Sequence, residues 1–320
     1  MSAPACKDCV SGFKHSGTPV GIETSLHGYD AYVSKPPSGQ AAKALIVLIP
    51  DGFGWKFPNM RVVADTFAAK GGYLVYVPDV FNGPGMDEKV LLQMSQLMTP
   101  APNFLGTLMK PMILIQILSG FLPFLYRNRV SVCGPRVKAF VAALRKTETL
   151  PIGMVGYCWG GKHAILAAHN DNEMGKPLVD AVFTAHPSGL DVPADINNIR
   201  VPTSIAVGTK DMVMNMKVVD EVQTLLSKKA DVPYEVVTYE GAKHGFAARG
   251  NPNEEKEAEH AAQAEDQALT WFAKYLVASA PHPAPESAPG PVPVAESTAQ
   301  PEPVAQPATQ SELKAPETTS

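Results

Sequence analysis

Gly156-Tyr157-Cys158-Trp159-Gly160 has the spacing of a nucleophile elbow, Gly-x-nucleophile-x-Gly, with cysteine in the central place that serine more often takes. Such an elbow is a sharp turn between a strand and a helix. Its outer positions are glycine because a Cβ there would collide with neighbouring backbone as the nucleophile is pushed outward. The flanks agree with that context: Ile152, Met154 and Val155 form an apolar run suited to a buried strand, and Gly161 to His169 read as a helix leaving the turn. Cysteine is also a common core residue, so the pentapeptide draws its weight from the strand before it and the helix after it.

Outward from the elbow the chain alternates strand-like and helix-like segments. Lys43 to Ile49 is a nearly continuous apolar run, followed by a Gly-containing loop and an amphipathic stretch from Pro58 to Lys70. Tyr73 to Val77, Val179 to Thr184, Thr203 to Val207 and Tyr234 to Tyr239 are again strand-like, with helical patterns between most of them. This alternation predicts an α/β fold, a mostly parallel sheet flanked by helices on both faces, with ligands at the carboxyl ends of the strands. For 320 residues one such core is expected rather than two.

Hydrophobic residues make up 45 % and charged residues 18 %, an ordinary soluble composition, and a net charge of −4 gives no reason to expect a nucleic-acid partner. A small-molecule substrate and a monomer or homodimer are expected. Four cysteines, with Cys6 and Cys9 close together and Cys133 and Cys158 isolated, do not resemble a disulfide framework and point to a reducing compartment. Met1 to Val10 is polar and lacks the apolar region of a signal peptide, so a cytoplasmic location is expected. Cys6-Lys7-Asp8-Cys9 has no second CxxC or CxxH to complete four ligands, and reads as a surface or partner-facing thiol pair; no metal site is expected.

Residues 1–27 are expected to pack as an N-terminal segment on a body spanning 28–277. From Ala278 the composition turns to Pro, Ala, Glu, Ser and Thr, which cannot bury enough apolar surface to offset chain entropy, so 278–320 reads as a disordered Pro-rich tail. Within the body, Phe104 to Leu125 is long and apolar, but Lys110-Pro111, Gly120 and Pro123 break it into pieces too short to span a bilayer, and no integral membrane insertion is expected. Two readings stay open: an apolar lid over the strand ends, with Ile115 and Leu118 serving hydrophobic esters, or a helix merely packed on the body.

A thiol nucleophile needs a base, and the base an acceptor that holds its tautomer. In α/β-hydrolases the order along the chain is nucleophile, acid, histidine. After Cys158, the run Ile205-Ala206-Val207-Gly208-Thr209-Lys210-Asp211 puts an acid past the end of an apolar strand, and Tyr239-Glu240-Gly241-Ala242-Lys243-His244-Gly245-Phe246 puts a histidine in a glycine-flanked loop after the next. Taken singly, Asp211 could cap the helix beginning near Met216 and His244 could be a surface histidine; their joint order and placement favour a Cys158–Asp211–His244 triad. His163 and His169 read as packing residues of the elbow helix, while His186, in Thr184-Ala185-His186-Pro187, either lines the pocket or fills a turn. Donors for a developing oxyanion are expected from the backbone of Trp159 and from Gly52 or Phe53 in Pro50-Asp51-Gly52-Phe53-Gly54-Trp55.

Gly-Tyr-Cys-Trp-Gly-Gly at 156–161, Gly-Thr-Lys-Asp at 208–211 and Ala-Lys-His-Gly-Phe-Ala-Ala-Arg-Gly at 242–250 together resemble the dienelactone hydrolase family of α/β-hydrolases, and Ser11 to Gly21 is similar to the opening of its fungal branch. The resemblance runs from about Cys6 to Val277. It implies that Cys158, Asp211 and His244 are the triad of a thiol-dependent hydrolase of lactones, esters or related acyl compounds, without metal or organic cofactor, and that Asp51, Tyr157, His186, Phe246 and Arg249 surround the substrate. Two departures stand out. Asp51 occupies the place of a glutamate that controls the thiol in bacterial members, and no basic residue stands at Asn82-Gly83, where those members hold the substrate carboxylate with arginine. Arg249 is displaced by one place from a second substrate arginine, so dienelactone itself is not the expected substrate.

The expected function is therefore cysteine-dependent hydrolysis of a small lactone, ester or related acyl substrate through a covalent acyl-thioester. The alternatives on the same fold are a ring-opening, lactonising or isomerising enzyme of fungal secondary metabolism, and a non-catalytic small-molecule binding protein.

Overall fold

The structure is a computed structural model that describes residues 11–98, 104–171 and 173–277. The Cys6–Cys9 pair and the Pro-rich segment 278–320 lie outside the described residues. The chain runs β1 (Ile22–Leu26), β2 (Tyr29–Ser34), β3 (Leu45–Ile49), α1 (Pro58–Gly71), β4 (Leu74–Pro78), α2 (Lys89–Met98), α3 (Phe104–Arg127), α4 (Val130–Thr147), β5 (Ile152–Tyr157), α5 (Trp159–Ala167), β6 (Ala181–Ala185), α6 (Ala194–Asn197), β7 (Thr203–Gly208), α7 (Met216–Ser227), β8 (Tyr234–Tyr239), α8 (Phe246–Arg249) and α9 (Glu255–Phe272).

Among the described residues eight strands form one sheet in the order β1-β2-β4-β3-β5-β6-β7-β8. From β4 to β8 every pairing is parallel, whereas β1 with β2 and β2 with β4 are antiparallel. Every residue of β3, β5, β6 and β7 is buried, because interior parallel strands are covered on both faces, and that is why each reads as an unbroken apolar or small-residue run.

The N-terminal segment ends in a strand of the sheet. Ile22–Leu26 pairs residue for residue with Tyr29–Val33 through a tight His27-Gly28 turn, in which both residues have positive φ, 52° and 82°. Its mixed polar sequence is not an apolar run because β1 is an edge strand that is mostly solvent-exposed.

The helices cover the sheet through their apolar stripes. In α1 the buried Met60, Ala64, Phe67 and Ala68 fall on one face, Pro58 stands at the first turn, and Gly72 closes the end in the left-handed conformation with its N–H on the Ala68 carbonyl. Among the described side chains of α3, from Thr107 on, only Ile117, Phe121 and Phe124 are buried, and most of the others are exposed.

Candidate active site

The elbow forms at the end of β5, where β3 runs alongside. Cys158 has φ 51° and ψ −112°, a conformation costly for a residue with a side chain, between β5 and the first turn of α5. The two outer glycines are required by close approach. A Cβ on Gly156 would stand 2.4 Å from the Gly160 carbonyl oxygen, and one on Gly160 would stand 2.2 Å from that of Ile49. The turn thus fits only against its neighbouring strand, and it presents the thiol above the carboxyl end of the sheet.

His244 Nε2 lies 3.1 Å from Cys158 Sγ, and its Nδ1 lies 2.9 Å from Asp211 Oδ2. All three side chains are buried, with Cys158 itself 4 % exposed. The loops that bring them together are laced to each other: Lys210 N–H donates to the Ala242 carbonyl, Thr209 N–H to that of Tyr239, and Gly241 N–H to the Thr209 hydroxyl. Asp211 is fixed further by Val213 and Met214 N–H groups on Oδ1, at 2.7 and 3.0 Å. It does not cap α7; Asn215 does, accepting from Val218 N–H.

Burial alone would lower the His244 pKa, but the facing Cys158 sulfur and the Asp211 carboxylate outweigh it and push it up to about 10. An imidazolium at this position would favour a facing sulfur as thiolate.

The expected oxyanion donors lie on Trp159, next to Cys158 in the chain, and in the β3–α1 loop. Trp159 opens α5, where the first N–H groups of a helix have no acceptor within it. In the β3–α1 loop, Phe53 N–H donates to Asp51 Oδ1 at 3.0 Å, which leaves Gly52 as the residue with an unengaged N–H among the two candidates.

Asp51 and Arg249, treated as separate substrate contacts on the sequence, meet as an ion pair with both side chains fully buried. Burial raises the Asp51 pKa against the pull of Arg249, and the neighbouring Cys158 raises it further. Arg249 also donates through Nε to the Ser11 carbonyl and lies over the Phe53 ring, 5.3 Å from its centroid. The segment Ser11–His15 straps this pair: Phe13 N–H donates to the Arg249 carbonyl, and Asn59 Nδ2 holds the carbonyls of Phe13 and Ala248.

His186 follows β6 with φ 41° and is fully buried, its ring 5.0 Å from that of His244 and 5.7 Å from that of Phe246. Neither ring nitrogen has a hydrogen-bond partner among the described residues, and burial, then the charge of His244, hold its pKa well below the ordinary value. Tyr157, 5.9 Å from His186, is buried at the end of β5. His163 packs on Trp159 at 4.2 Å, as a structural residue of α5.

Three neighbours of the site were not singled out on the sequence. Ser188, in the loop after β6, has its hydroxyl 3.8 Å from Cys158 Sγ; its place just past a strand end was the available signal. Asn128, fully buried between α3 and α4, accepts the Trp159 indole N–H at its carbonyl and the Asn82 N–H at Oδ1. Arg127, the last residue of α3, runs alongside Gly83, and its buried Nε has no hydrogen-bond partner among the described residues. Nothing in its local sequence marks it, because it is 44 residues from Gly83 along the chain.

The inner face of α3 completes the surroundings. The Phe124 ring is 5.3 Å from Phe81, which stands edge-on to Trp159 at 4.7 Å, and a Cβ on Gly52 would meet Met86 and Phe124. Ile115 is 61 % exposed and Leu118 half-buried, whereas Ile117, Phe121 and Phe124 are buried against the body, with Ile113 and Leu125 partly buried beside them.

Residues 29–276 match the profile of the Dienelactone hydrolase family. Hydrolase pyvD of Aspergillus violaceofuscus is 30 % identical over 276 residues, covering 86 % of this chain and 98 % of its own length. Hydrolase tropI of Talaromyces stipitatus is 28 % identical, with 86 % and 98 % covered. The human carboxymethylenebutenolidase homolog is 27 % identical, with 84 % and 96 % covered. Among solved structures, a putative dienelactone hydrolase from Klebsiella pneumoniae superposes with a TM-score of 0.57 at 19 % identity, covering 80 % of this chain and 99 % of that one. At that identity the likeness speaks for the fold.

Proposed function

The chain belongs to the dienelactone hydrolase family and is a carboxylic ester hydrolase, and we propose that it works through Cys158 as nucleophile, His244 as acid–base and Asp211 as the acceptor that orients His244. The observation that carries this reading is the buried relay Asp211 Oδ2–His244 Nδ1 at 2.9 Å and His244 Nε2–Cys158 Sγ at 3.1 Å.

The thiolate adds to the carbonyl carbon of an ester or lactone, and the charge that develops on oxygen is stabilised by the Trp159 and Gly52 N–H groups. Collapse of this intermediate breaks the carbon–oxygen bond, and His244 gives its Nε2 proton to the departing alkoxide. An acyl-thioester on Cys158 remains. Water then attacks, His244 accepts its proton, and carbon–sulfur cleavage releases the acid and restores thiolate and imidazolium.

The substrate proposed is an acyl compound with an aromatic or apolar body. Phe81, Phe124, Met86 and Trp159 wall the region of the oxyanion loop, and Arg249, neutralised by Asp51, is not free to hold a carboxylate. An acidic substituent, where present, is matched by Arg127 beside Gly83.

Intact-mass measurement after rapid mixing with aryl esters and lactones tests the scheme. An acyl adduct on the native chain that is absent from Cys158→Ala supports it. Equal ester turnover by Cys158→Ala and the native chain would sink the thiol mechanism.

A further inference from the structure

By length and composition Thr107–Arg127 could cross a membrane, yet its inner residues Ile117, Phe121 and Phe124 pack on the body. The opposite face carries Leu108, Met112, Ile115, Leu122 and Tyr126, each between 53 % and 71 % exposed. Their spacing of four, three, seven and four places them on one stripe of the helix, with Ser119 filling the seven-residue gap. A continuous exposed apolar stripe of this length marks an interaction surface.

Charge selects among occupants. From Lys89 to Thr147 the chain has eight basic residues and no acidic one, so α2, α3 and α4 bring no negative side chain to this side of the molecule. Arg129, exposed just beyond α3, lies over the Tyr126 ring at 4.6 Å and sets a cation at the end of the stripe. A second copy of α3 would set cation against cation. Paired helices also carry complementary charges beside the apolar seam, whereas here exposed Met109, Pro111, Leu114 and Gln116 occupy those flanks. A wide stripe with a cation at its end and no anion on α2, α3 or α4 matches a lipid surface with anionic headgroups.

We propose that α3 docks this enzyme peripherally on an anionic lipid surface, with Leu108, Met112, Ile115, Leu122 and Tyr126 at the headgroup–acyl boundary. The helix lies in the interface rather than across it. Pro111 and Pro123 each remove a helix hydrogen bond that hydrocarbon would leave unsatisfied, and a span would strip Phe121 and Phe124 from the body. Docked in this way, the layer beneath the stripe is Phe124 against the oxyanion loop, so an apolar acyl compound dissolved in the surface would sit close to the site. The inference goes beyond the hydrolytic reading, and vesicle binding measures it without any turnover.

The full chain is sedimented with vesicles of phosphatidylcholine alone and of phosphatidylcholine mixed with phosphatidylserine. Binding to the mixed vesicles that falls as salt rises is expected, with partitioning reduced about tenfold or more by Ile115→Glu or Met112→Glu. Arg129→Glu should remove much of the preference for phosphatidylserine. Because Ile115 is exposed, Ile115→Glu should hydrolyse a soluble ester at the native rate, which reports an intact fold. No sedimentation of the native chain overturns the proposal. So does equal binding by the Glu variants, a dimer in solution that Ile115→Glu dissociates, or resistance to extraction by alkaline carbonate, which would mean a span.

Discussion

Asp51 and Arg249 form an ion pair from which water is excluded on both sides, tied at one end to the Phe53 N–H and at the other to the Ser11 carbonyl. The pair joins the oxyanion loop, the loop after His244 and the N-terminal strap into one unit beside the thiol.

Breaking this pair from either side leaves a buried charge without its counterion. Arg249→Met and Asp51→Asn are each expected to cost about 3–5 kcal/mol in urea unfolding, while the double variant loses less than the sum of the two. Strict additivity would show that the two side chains do not stabilise each other.

On the proposed mechanism, the thiolate of Cys158 depends on His244. His244→Gln should move the pH at which iodoacetamide alkylates Cys158 up toward about 8.5, the ordinary thiol value, and lower turnover by about 100- to 10,000-fold. In the native enzyme, kcat/KM should fall as pH rises past about 10, where His244 loses the proton it gives to the leaving group. An alkylation profile unchanged by His244→Gln contradicts the pairing.

His163 is buried with no partner for Nε2 among the described residues, and burial, then the charge of Lys162, lowers its pKa to about 4 from 6.5. The unfolded chain takes up this proton at a higher pH than the folded one. Stability is therefore complete above about pH 6.5 and is lost as pH falls toward about 4, by about 3 kcal/mol for this group. Chemical denaturation from pH 7 to pH 4 should show a shallower loss in His163→Leu; parallel curves for the two proteins would refute the assignment.

The two faces of α3 should separate in a substrate panel. Phe124→Ser is expected to change kcat/KM for bulky aromatic esters several-fold more than for acetates, and Ile115→Ser to change neither. Arg127→Leu should raise KM for esters bearing a carboxylate by about tenfold while leaving neutral analogues unaffected, given the usual strength of a charge-assisted contact. If neutral and acidic esters respond alike, Arg127 does not act as a counterion.

The elbow and Asp211 were legible in the sequence because each follows a strand that the fold buries on both faces, whereas His244 follows the edge strand β8, of which only Tyr239 is buried, and was legible from its glycine-flanked loop. Val155, Val207 and their neighbours are apolar for that reason, and the loop chemistry begins where the apolar run stops. Strand β1 was not legible, since an exposed edge strand needs no such run, and β2, though buried from Ala31 to Ser34, has the mixed sequence Tyr-Asp-Ala-Tyr-Val-Ser rather than an apolar one. Nor was the orientation of α3: a helix apolar on all sides gives no sign of which face is covered, and the structure turned Ile115 outward and Phe124 inward.

By itself the sequence determined the α/β architecture, the elbow and the order of the three residues, because these follow from local periodicity and from glycines that no other residue can replace in a crowded turn. The tertiary structure decided the partners. Arg249 is committed to Asp51, Phe53 N–H to the same carboxylate, Ser188 to the neighbourhood of the thiol, and Arg127 to Gly83. Such pairings join residues far apart in the chain through burial and charge, and side chains acquire those partners only when the sheet has closed around them.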